Sequence, residues 1–316
     1  MTTQALVLAD RDGSELEPVA DHLLPALIPV AGKPVIQHCI EDLWEAGVRE
    51  VLVAVPAGDR TIERELGSGQ RFGMSLRYVN ASEGAGPGEV FAVAAQTVEP
   101  PLLVARGDVL RGRAARALLE SARSIESDIV HGTIGSRRAG IALLRSRCNA
   151  INQLGWSQLR SAVRSEQTRC VELGDIGFAA LDSLPGLYDT CLAALEHRFA
   201  GLLTDGRAAH GSGLRVAARA SVARSVHVTG IARVGRGADL HDDVELAGRV
   251  EVGDRCVVDT GAQLIDAVVL PGTYVGRGVR LQNAFAHGAW LYRADLDTCQ
   301  RVEDPLLLAG PTAAAA

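Results

Sequence analysis

VAARASVARSVHVTGIARVGRGADLHDDVELAGRVEVGDRCVVDTGAQLIDAVVLPGTY, residues 216–274, places an aliphatic side chain at every sixth position: Val216, Val222, Val228, Val234, Leu240, Leu246, Val252, Val258, Leu264 and Leu270. Four residues after each of these stand Ala220, Val226, Ala232, Ala238, Val244, Val250, Cys256, Ala262, Val268 and Tyr274, nearly all small or β-branched. A six-residue period that buries one aliphatic side chain per short strand marks a parallel β-helix, whose coils bury one another. Gly235, Gly253, Gly261 and Gly272 are placed to supply corner conformations. After Tyr274 the series slips by one, to Val275 and Leu281, and the segment with Trp290, Leu291, Tyr292 and Leu306 to Leu308 is expected to cap the open end. Pro311 to Ala316 reads as a disordered tail.

Working outward, the first half of the chain has a different rhythm. Short apolar runs at Ala5 to Ala9 and Val51 to Val55 flank a helical pattern from Pro34 to Ala46. This is a βαβ alternation, hence a mostly parallel sheet. Further runs follow at Leu76 to Val79 and Leu102 to Ala105, with a helical stretch from Val90 to Thr97 between them. The second run ends in Arg106-Gly107-Asp108, which puts a carboxylate at the strand edge where open α/β sheets bind ligands. Leu187, Cys191, Leu192, Leu195 and Phe199 form one helical stripe, expected to pack the two halves together before the first coil begins near Leu214. The expected domains are an α/β unit over 1–205, a β-helix over 206–292 and a cap with its tail over 293–316.

Composition bounds the function. The chain has 316 residues, 47% apolar and 22% charged, and no apolar run approaches the roughly 18 residues of a membrane span, which excludes an integral membrane protein of the helical kind. A formal net charge of −6 with no basic run argues against a general nucleic-acid binder. The start MTTQALVLAD lacks the basic and apolar pattern of a signal peptide, so a cytoplasmic location is expected. The six cysteines, Cys39, Cys148, Cys170, Cys191, Cys256 and Cys299, stand singly and read as reduced thiols.

The segment LVLADRDGSELEPVADHLLPALIPVAGKPVIQH, residues 6–38, resembles the signature of sugar-1-phosphate nucleotidyltransferases. In that family a strand ending Leu-Ala leads into Gly-Gly-x-Gly-Thr-Arg-Leu, then a Lys-Pro and an Ala-Gly-Lys-Pro element. Here Leu8-Ala9 leads into Asp10-Arg11-Asp12-Gly13-Ser14-Glu15-Leu16, then Leu24-Pro25 and Ala31-Gly32-Lys33-Pro34. The resemblance implies a Rossmann-like nucleotidyltransferase domain followed by a left-handed parallel β-helix of about three coils.

The departures from the pattern bear on chemistry. Asp10 and Arg11 replace glycines that let backbone N–H groups approach phosphate. Glu15 replaces the arginine that clamps the triphosphate, and Leu24 replaces a lysine. Like charges roughly 4 Å apart repel by about 1 kcal/mol in water and about 4 kcal/mol at an effective dielectric of 20, so Glu15 opposes a polyphosphate. Gly13 keeps the family's glycine, while Gly86-Pro87-Gly88-Glu89 is the nearest match to its base-reading Gly-Thr-Ala-Gly turn, and Pro87 has no N–H to donate. Gly86 and Gly88 are the nucleotide-contacting candidates there.

Gly107-Asp108 matches the family's Gly-Asp, which makes Asp108 the candidate Mg²⁺ ligand. Its second aspartate aligns with Leu181 in Leu181-Asp182-Ser183-Leu184-Pro185, leaving Asp182 and Asp175 as alternatives. Arg138-Ala139-Gly140-Ile141 resembles Asn-Ala-Gly-Ile, with arginine where the family's asparagine contacts the sugar. About 30 residues separate Asp108 from Arg138, roughly half the family's spacing, so the Glu-Lys-Pro hairpin is missing. Lys33 and Arg11 are the cations left to meet phosphate.

The resemblance therefore implies a homologue of nucleotide-sugar or polysaccharide metabolism with lost or reduced pyrophosphorylase activity. A regulatory or scaffolding role follows, through homo-oligomers of the β-helix or a hetero-oligomer with an active paralogue, with a nucleotide or nucleotide sugar as ligand. A divergent enzyme that couples a nucleoside triphosphate to a phosphorylated substrate with Mg²⁺ is the second reading. Acyl transfer by a β-helix histidine, His227, His241 or His287, is the third.

Overall fold

Gln4-Ala5-Leu6-Val7-Leu8 is apolar on both faces, as a central strand of a covered parallel sheet must be. The computed structural model describes residues 4–19, 23–80, 93, 97–146, 168–209 and 213–310. Seven strands form one sheet: β1 (Gln4–Leu8), β2 (Glu50–Val55), β3 (Ser75–Asn80), β4 (Leu102–Arg106), β5 (Ile129–Ile134), β6 (Arg137–Leu144) and β7 (Thr168–Glu172), in the order β7-β5-β6-β4-β1-β2-β3. All neighbours are parallel except those of β6, which runs against β4 and β5. The expected α/β domain with a mostly parallel sheet is what the chain forms. The helical stretch expected over 90–97 falls largely outside the described residues, as does the tail at 311–316.

Helices α1 (Val35–Glu45), α2 (Thr61–Leu66) and α3 (Ala115–Ala122) belong to this domain. Alternate residues of β1 and β4, such as Val7 and Ala105, point into one apolar core with Ile36, Ile40 and Leu43 of α1 and Leu118 of α3. Asp42 is buried on α1, yet it is satisfied. Its carboxylate accepts from the N–H groups of Ala114 and Ala115 at the start of α3, at 3.0 and 3.1 Å, which gives that helix a cap from another element.

Helix α4 (Leu184–Leu195) begins at Ser183, whose Oγ accepts from the N–H of Gly186 at 3.2 Å. Its stripe of Leu187, Cys191, Leu192 and Leu195, continued by Phe199, is buried against Val268, Leu270 and Phe285 of the second half. The stripe therefore joins the two halves, as its spacing implies. Tyr188 donates from its hydroxyl to the carbonyl of Asp266 across the same seam at 2.6 Å.

The second half stacks β8 (Leu214–Val216), β9 (His227–Val234), β10 (Glu245–Val252), β11 (Gln263–Val269) and β12 (Arg280–His287) in parallel. Val216 pairs with Val234 and Val234 with Val252, so each of these coils takes 18 residues, three steps of six. Shorter strands on another face, including Ser221–Val222, Asp239–Leu240, Val257–Val258 and Tyr274–Val275, stack in the same way. Three sets of residues with positive φ recur at the corners: Arg219, Gly237, Arg255 and Gly272; Gly230, Gly248, Asp266 and Asn283; Asp243, Gly261 and Gly278. Three corners per coil make the triangular cross-section of a parallel β-helix. Gly261 and Gly272 serve as corners as expected, whereas Gly235 and Gly253 do not have positive φ. A Cβ on either would instead meet the backbone of the next coil, so close stacking is what requires glycine there.

The slip of the repeat comes earlier than the sequence pattern places it. Val252 pairs with Val269, only 17 residues on, because the register shifts opposite Ala247 and Val250, where Asp266 turns with φ 44°. Ala267 and Val269 then fill the coil interior, while Val268 and Leu270 turn toward α4. Tyr274 is likewise only half-buried, its hydroxyl donating to Asp259 at 3.0 Å. At the far end, β13 (Trp290–Arg293) adds antiparallel to β12, β14 (Thr298–Arg301) adds antiparallel to β13, and Leu308–Ala309 adds antiparallel to Tyr274–Val275.

Two histidines are sealed into the first domain. His38 donates from Nε2 to the carbonyl of Val30 at 3.0 Å, and burial holds its pKa down at about 4. His131 on β5 is pushed down to about 3 by burial, with the charge of Arg138 adding to the shift. Both are neutral when folded and take up protons more readily when unfolded. Stability is therefore expected to fall as pH drops below the ordinary histidine range near 6.5, down toward these depressed values. Urea denaturation between pH 7 and pH 4.5 checks this, and His131→Leu should flatten the slope.

Candidate functional site

The parallel pairing of β1 with β4 sets Leu8 beside Arg106, so the loop after β1 and the Arg106-Gly107-Asp108 segment leave the sheet at one edge. The N–H of Gly107 donates to the carbonyl of Leu8 at 2.8 Å and ties the two together. This is the edge at which α/β sheets bind ligands.

Asp108 is fully buried there, between two guanidinium groups. Arg106, also without exposed surface, donates from Nε to Oδ1 at 3.0 Å and from Nη2 to Oδ2 at 2.7 Å. Arg11 approaches the same Oδ2 through Nε at 2.9 Å. Its Nη2 donates to the carbonyl of Leu181 at 2.7 Å, and its Nη1 lies 3.0 Å from Glu15 Oε1. Arg11 thus points inward and bridges Asp108, Glu15 and the residue that stands at the family's second aspartate position.

The other residues of the loop are held by the fold. Asp12 accepts from the N–H and the hydroxyl of Ser14, both at 3.2 Å, a local turn that leaves its side chain exposed. Asp10 at the start of the loop is half-buried. Gly13 has φ 85°, and a Cβ there would stand 2.8 Å from Pro25 Cδ, so glycine is required by both conformation and packing. Leu24 packs on the core of the first domain.

Lys33 does not face the loop. Its Nζ donates to both oxygens of Glu41 at 2.9 Å. Burial tends to raise the pKa of Glu41, but the bonds from Lys33 and Gln37 outweigh it and hold the carboxyl below its ordinary value. The preceding Gly32, with φ 82°, lies against the Arg233 guanidinium of the β-helix, and a Cβ would overlap it. Arg233 in turn donates to Glu251 at 2.6 Å, both buried. The Ala31-Gly32-Lys33-Pro34 element is therefore part of the contact between domains.

A cleft of about 520 Å³ opens beside this cluster. Arg106, Arg137 and Arg138 line one side, Phe178 to Asp182 another, and Gly186 with Thr190 of α4 the third. Asp182 is exposed at the cleft and Asp175 is exposed outside its lining. Among the described residues no group of three or more His, Cys, Asp or Glu side chains is placed to share a metal ion. Gly86, Pro87 and Gly88 lie outside the described residues. The inward turn of Arg11 and the arginine wall were not anticipated from sequence. The spacing of Arg106 and Asp108, two apart and hence on one side of an extended chain, is the signal that points to their pairing.

The β-helix histidines are dispersed. His227 is exposed and bonds the carbonyl of Ser225, while His287 bonds the carbonyl of Val19 in the first domain at 2.6 Å. His241 Nδ1 lies 3.0 Å from Asp259, whose acceptance raises the histidine pKa. None of them lines the cleft.

The class the fold defines is a mostly parallel α/β sheet with a glycine-containing loop at its C-terminal edge, joined to a parallel β-helix. The family model for nucleotidyl transferases matches residues 4–140. Over 126 residues the chain is 29% identical to the mannose-1-phosphate guanylyltransferase of Mycobacterium tuberculosis, 40% of this chain and 35% of that protein. Over 130 residues it is 32% identical to the N-acetylmuramate alpha-1-phosphate uridylyltransferase of Neisseria meningitidis serogroup B, 40% of this chain and 55% of that protein. A solved structure from Bacillus anthracis, assigned as a glucose-1-phosphate thymidylyltransferase, superposes with a TM-score of 0.53 at 16% identity, covering 64% of this chain and 98% of that one. Over residues 4–140 the chain is therefore similar to nucleotidyl transferases, with sugar-1-phosphate nucleotidyltransferases among the matching relatives. It spans between about a third and about half of these two curated relatives.

Removing the Arg11 side chain leaves Asp108 with one guanidinium and the Leu181 carbonyl without its donor. Hydrogen bonds to charged groups contribute about 1.5–3 kcal/mol, so Arg11→Ala is expected to lose that much stability in urea denaturation. Glu15→Ala, at a more exposed position, is expected to lose less than about 1 kcal/mol.

Proposed function

We propose that this chain is a nucleotidyltransferase-like protein of nucleotide-sugar or polysaccharide metabolism that has lost, or greatly reduced, pyrophosphorylase activity and acts as a regulator or scaffold. The observation that carries this reading is the seat of Arg11 on Asp108. Nucleotidyl transfer requires a phosphate oxygen of the sugar phosphate to attack the α-phosphorus of a nucleoside triphosphate, with pyrophosphate leaving. Positive charge must meet the leaving group where it develops.

In this chain the loop positions that supply cations in the family hold Glu15 and Leu24. The remaining cations are engaged, Arg11 with two carboxylates and a carbonyl, Lys33 with Glu41. The residues do not fit Mg²⁺ either. A magnesium ligand must offer an oxygen lone pair at about 2.0–2.1 Å in a near-octahedral shell. Both oxygens of Asp108 already accept from guanidinium nitrogens, whose charge repels a second cation. Asp182 and Asp175 are both solvent-exposed, and Leu181 offers only a carbonyl that Arg11 occupies.

A scaffolding role is supported by the β-helix, which packs on the first domain through α4 and through the contact of Gly32 with the Arg233 guanidinium. Its outermost strand, β14, has a free edge among the described residues, a place for assembly with another copy or with an active relative. Acyl transfer is less favoured, since none of the three histidines lines the cleft beside Asp108.

The test is pyrophosphate release from each common nucleoside triphosphate with Mg²⁺ and a panel of sugar 1-phosphates. No release above background is expected. Turnover that disappears in Asp108→Ala would overturn the proposal in favour of the divergent enzyme.

A further inference from the structure

The β-helix turns three faces outward, and the fold accounts for two of them. One lies under α4, where Val268 and Phe285 are buried. On the second, charges are matched from coil to coil: His241 lies 3.0 Å from Asp259 and 3.4 Å from Asp239, and Tyr274 donates to Asp259. The third face is built from the first halves of β9, β10, β11 and β12, ahead of the corners at Gly230, Gly248, Asp266 and Asn283. Val228, Leu246, Leu264 and Leu281 point into the coil there, so the residues on either side of them point out. The register stacks these into two columns, His227-Glu245-Gln263-Arg280 and Thr229-Ala247-Ile265-Gln282. Glu245 and Arg280 are exposed, and neither forms an ion pair among the described residues. Glu245 accepts from Gln263 Nε2 at 3.0 Å and Arg280 donates to Gln282 at 2.9 Å, so each charge is met by a neutral amide. Two coils separate them, about 10 Å at the usual strand spacing, which exceeds the Debye length of about 8 Å in physiological salt.

We propose that this third face binds a second copy of the chain about a two-fold axis that sets the two β-helices antiparallel. The axis lies between the two facing sheets, along the strand direction at the level of β11. It exchanges the coil of β10 with the coil of β12, so Glu245 of each copy stands opposite Arg280 of the other. Ile265 meets Ile265 and Gln263 meets Gln263 on the axis itself. Facing sheets stand about 10 Å apart, a gap that a glutamate and an arginine side chain span together. With the β-helices parallel, equal coils would stand at equal height and no Glu245 would face an Arg280. Charge complementarity therefore selects the antiparallel pairing. The outer face of a parallel sheet is ordinarily covered, and the half-buried Ala247 and Ile265 form the apolar strip that such a cover requires. The inference rests on the scaffolding reading and deepens it, naming the partner as a second copy and the contact as this face rather than the edge of β14.

Sedimentation velocity of the full chain across the micromolar concentration range tests this. A monomer–dimer equilibrium that weakens with added salt is expected. Glu245→Arg and Arg280→Glu each bring like charges together twice across the axis, and each is expected to weaken the dimer at least about tenfold. The chain carrying both substitutions restores each pair with its signs exchanged, and its affinity is expected to return to within about threefold of the parent chain. A role confined to one coil would not produce that rescue. Ile265→Lys sets two ammonium groups against each other on the axis and is expected to leave a monomer. All three side chains reach the surface, so the circular dichroism of each variant is expected to match the parent chain. A monomer at every concentration, a trimer, a dimer indifferent to the single reversals, or a double variant no tighter than the singles would overturn the proposal. A monomer without pyrophosphate release would sink this inference alone, whereas a dimer of the expected behaviour that turns over sugar phosphates would sink the non-catalytic reading alone.

Discussion

A carboxylate withdrawn from water must be met by positive charge and hydrogen-bond donors, and Asp108 meets this requirement with Arg106 and Arg11. Much of the site follows from that pairing. Arg106 comes from the end of β4, so its half of the pair is fixed by the sheet. Arg11 comes from the loop after β1, and holding it on Asp108 fixes the loop path and orients Glu15. The same guanidinium reaches the Leu181 carbonyl, so the segment leading into α4 is drawn toward the sheet edge. The sheet supplies the arginine side of the cleft, and Arg11 holds the Leu181 segment that faces it.

A second buried pair, within the β-helix, stands against the first domain at Gly32. Arg233 and Glu251 are both out of water, and burial raises the pKa of Glu251 even as Arg233 opposes that shift. A buried pair of this kind adds little net stability over apolar packing, but losing either partner strands a charge. It therefore fixes geometry more than it adds stability. Gly32 presses against that guanidinium, which turns a glycine-lysine-proline element into a structural joint. Apolar packing along α4, with Leu187 and Leu192 against Val268 and Phe285, supplies the area that holds the joint closed.

Parts of the site were legible in the chain alone. That Asp10, Arg11, Glu15 and Leu24 depart from the family pattern is a matter of residue type, and the loss of cations follows from it directly. What was not legible is where the loop's one cation would point. Arg11 reads from sequence as a candidate for phosphate, and its inward seat depends on a carboxylate nearly a hundred positions away. Lys33 is a similar case, since Glu41, on α1, captures it. The arginine side of the cleft could be placed on β6 but not around a shared volume, because that volume is enclosed by three separate segments.

The six-residue period of 216–264 by itself determined the β-helix, and the βαβ alternation determined the mostly parallel sheet. Burial is a periodic, near-neighbour property, and a strand that repeats its apolar face at a fixed interval leaves few alternatives for what covers it. Tertiary structure decided the rest: the early slip at Asp266, which hands Val268 and Leu270 to the first domain, and the destinations of Arg11, Lys33 and Arg233. Charge–charge interaction depends on distance and on the removal of water, and neither quantity exists for residues remote in sequence until the chain has folded.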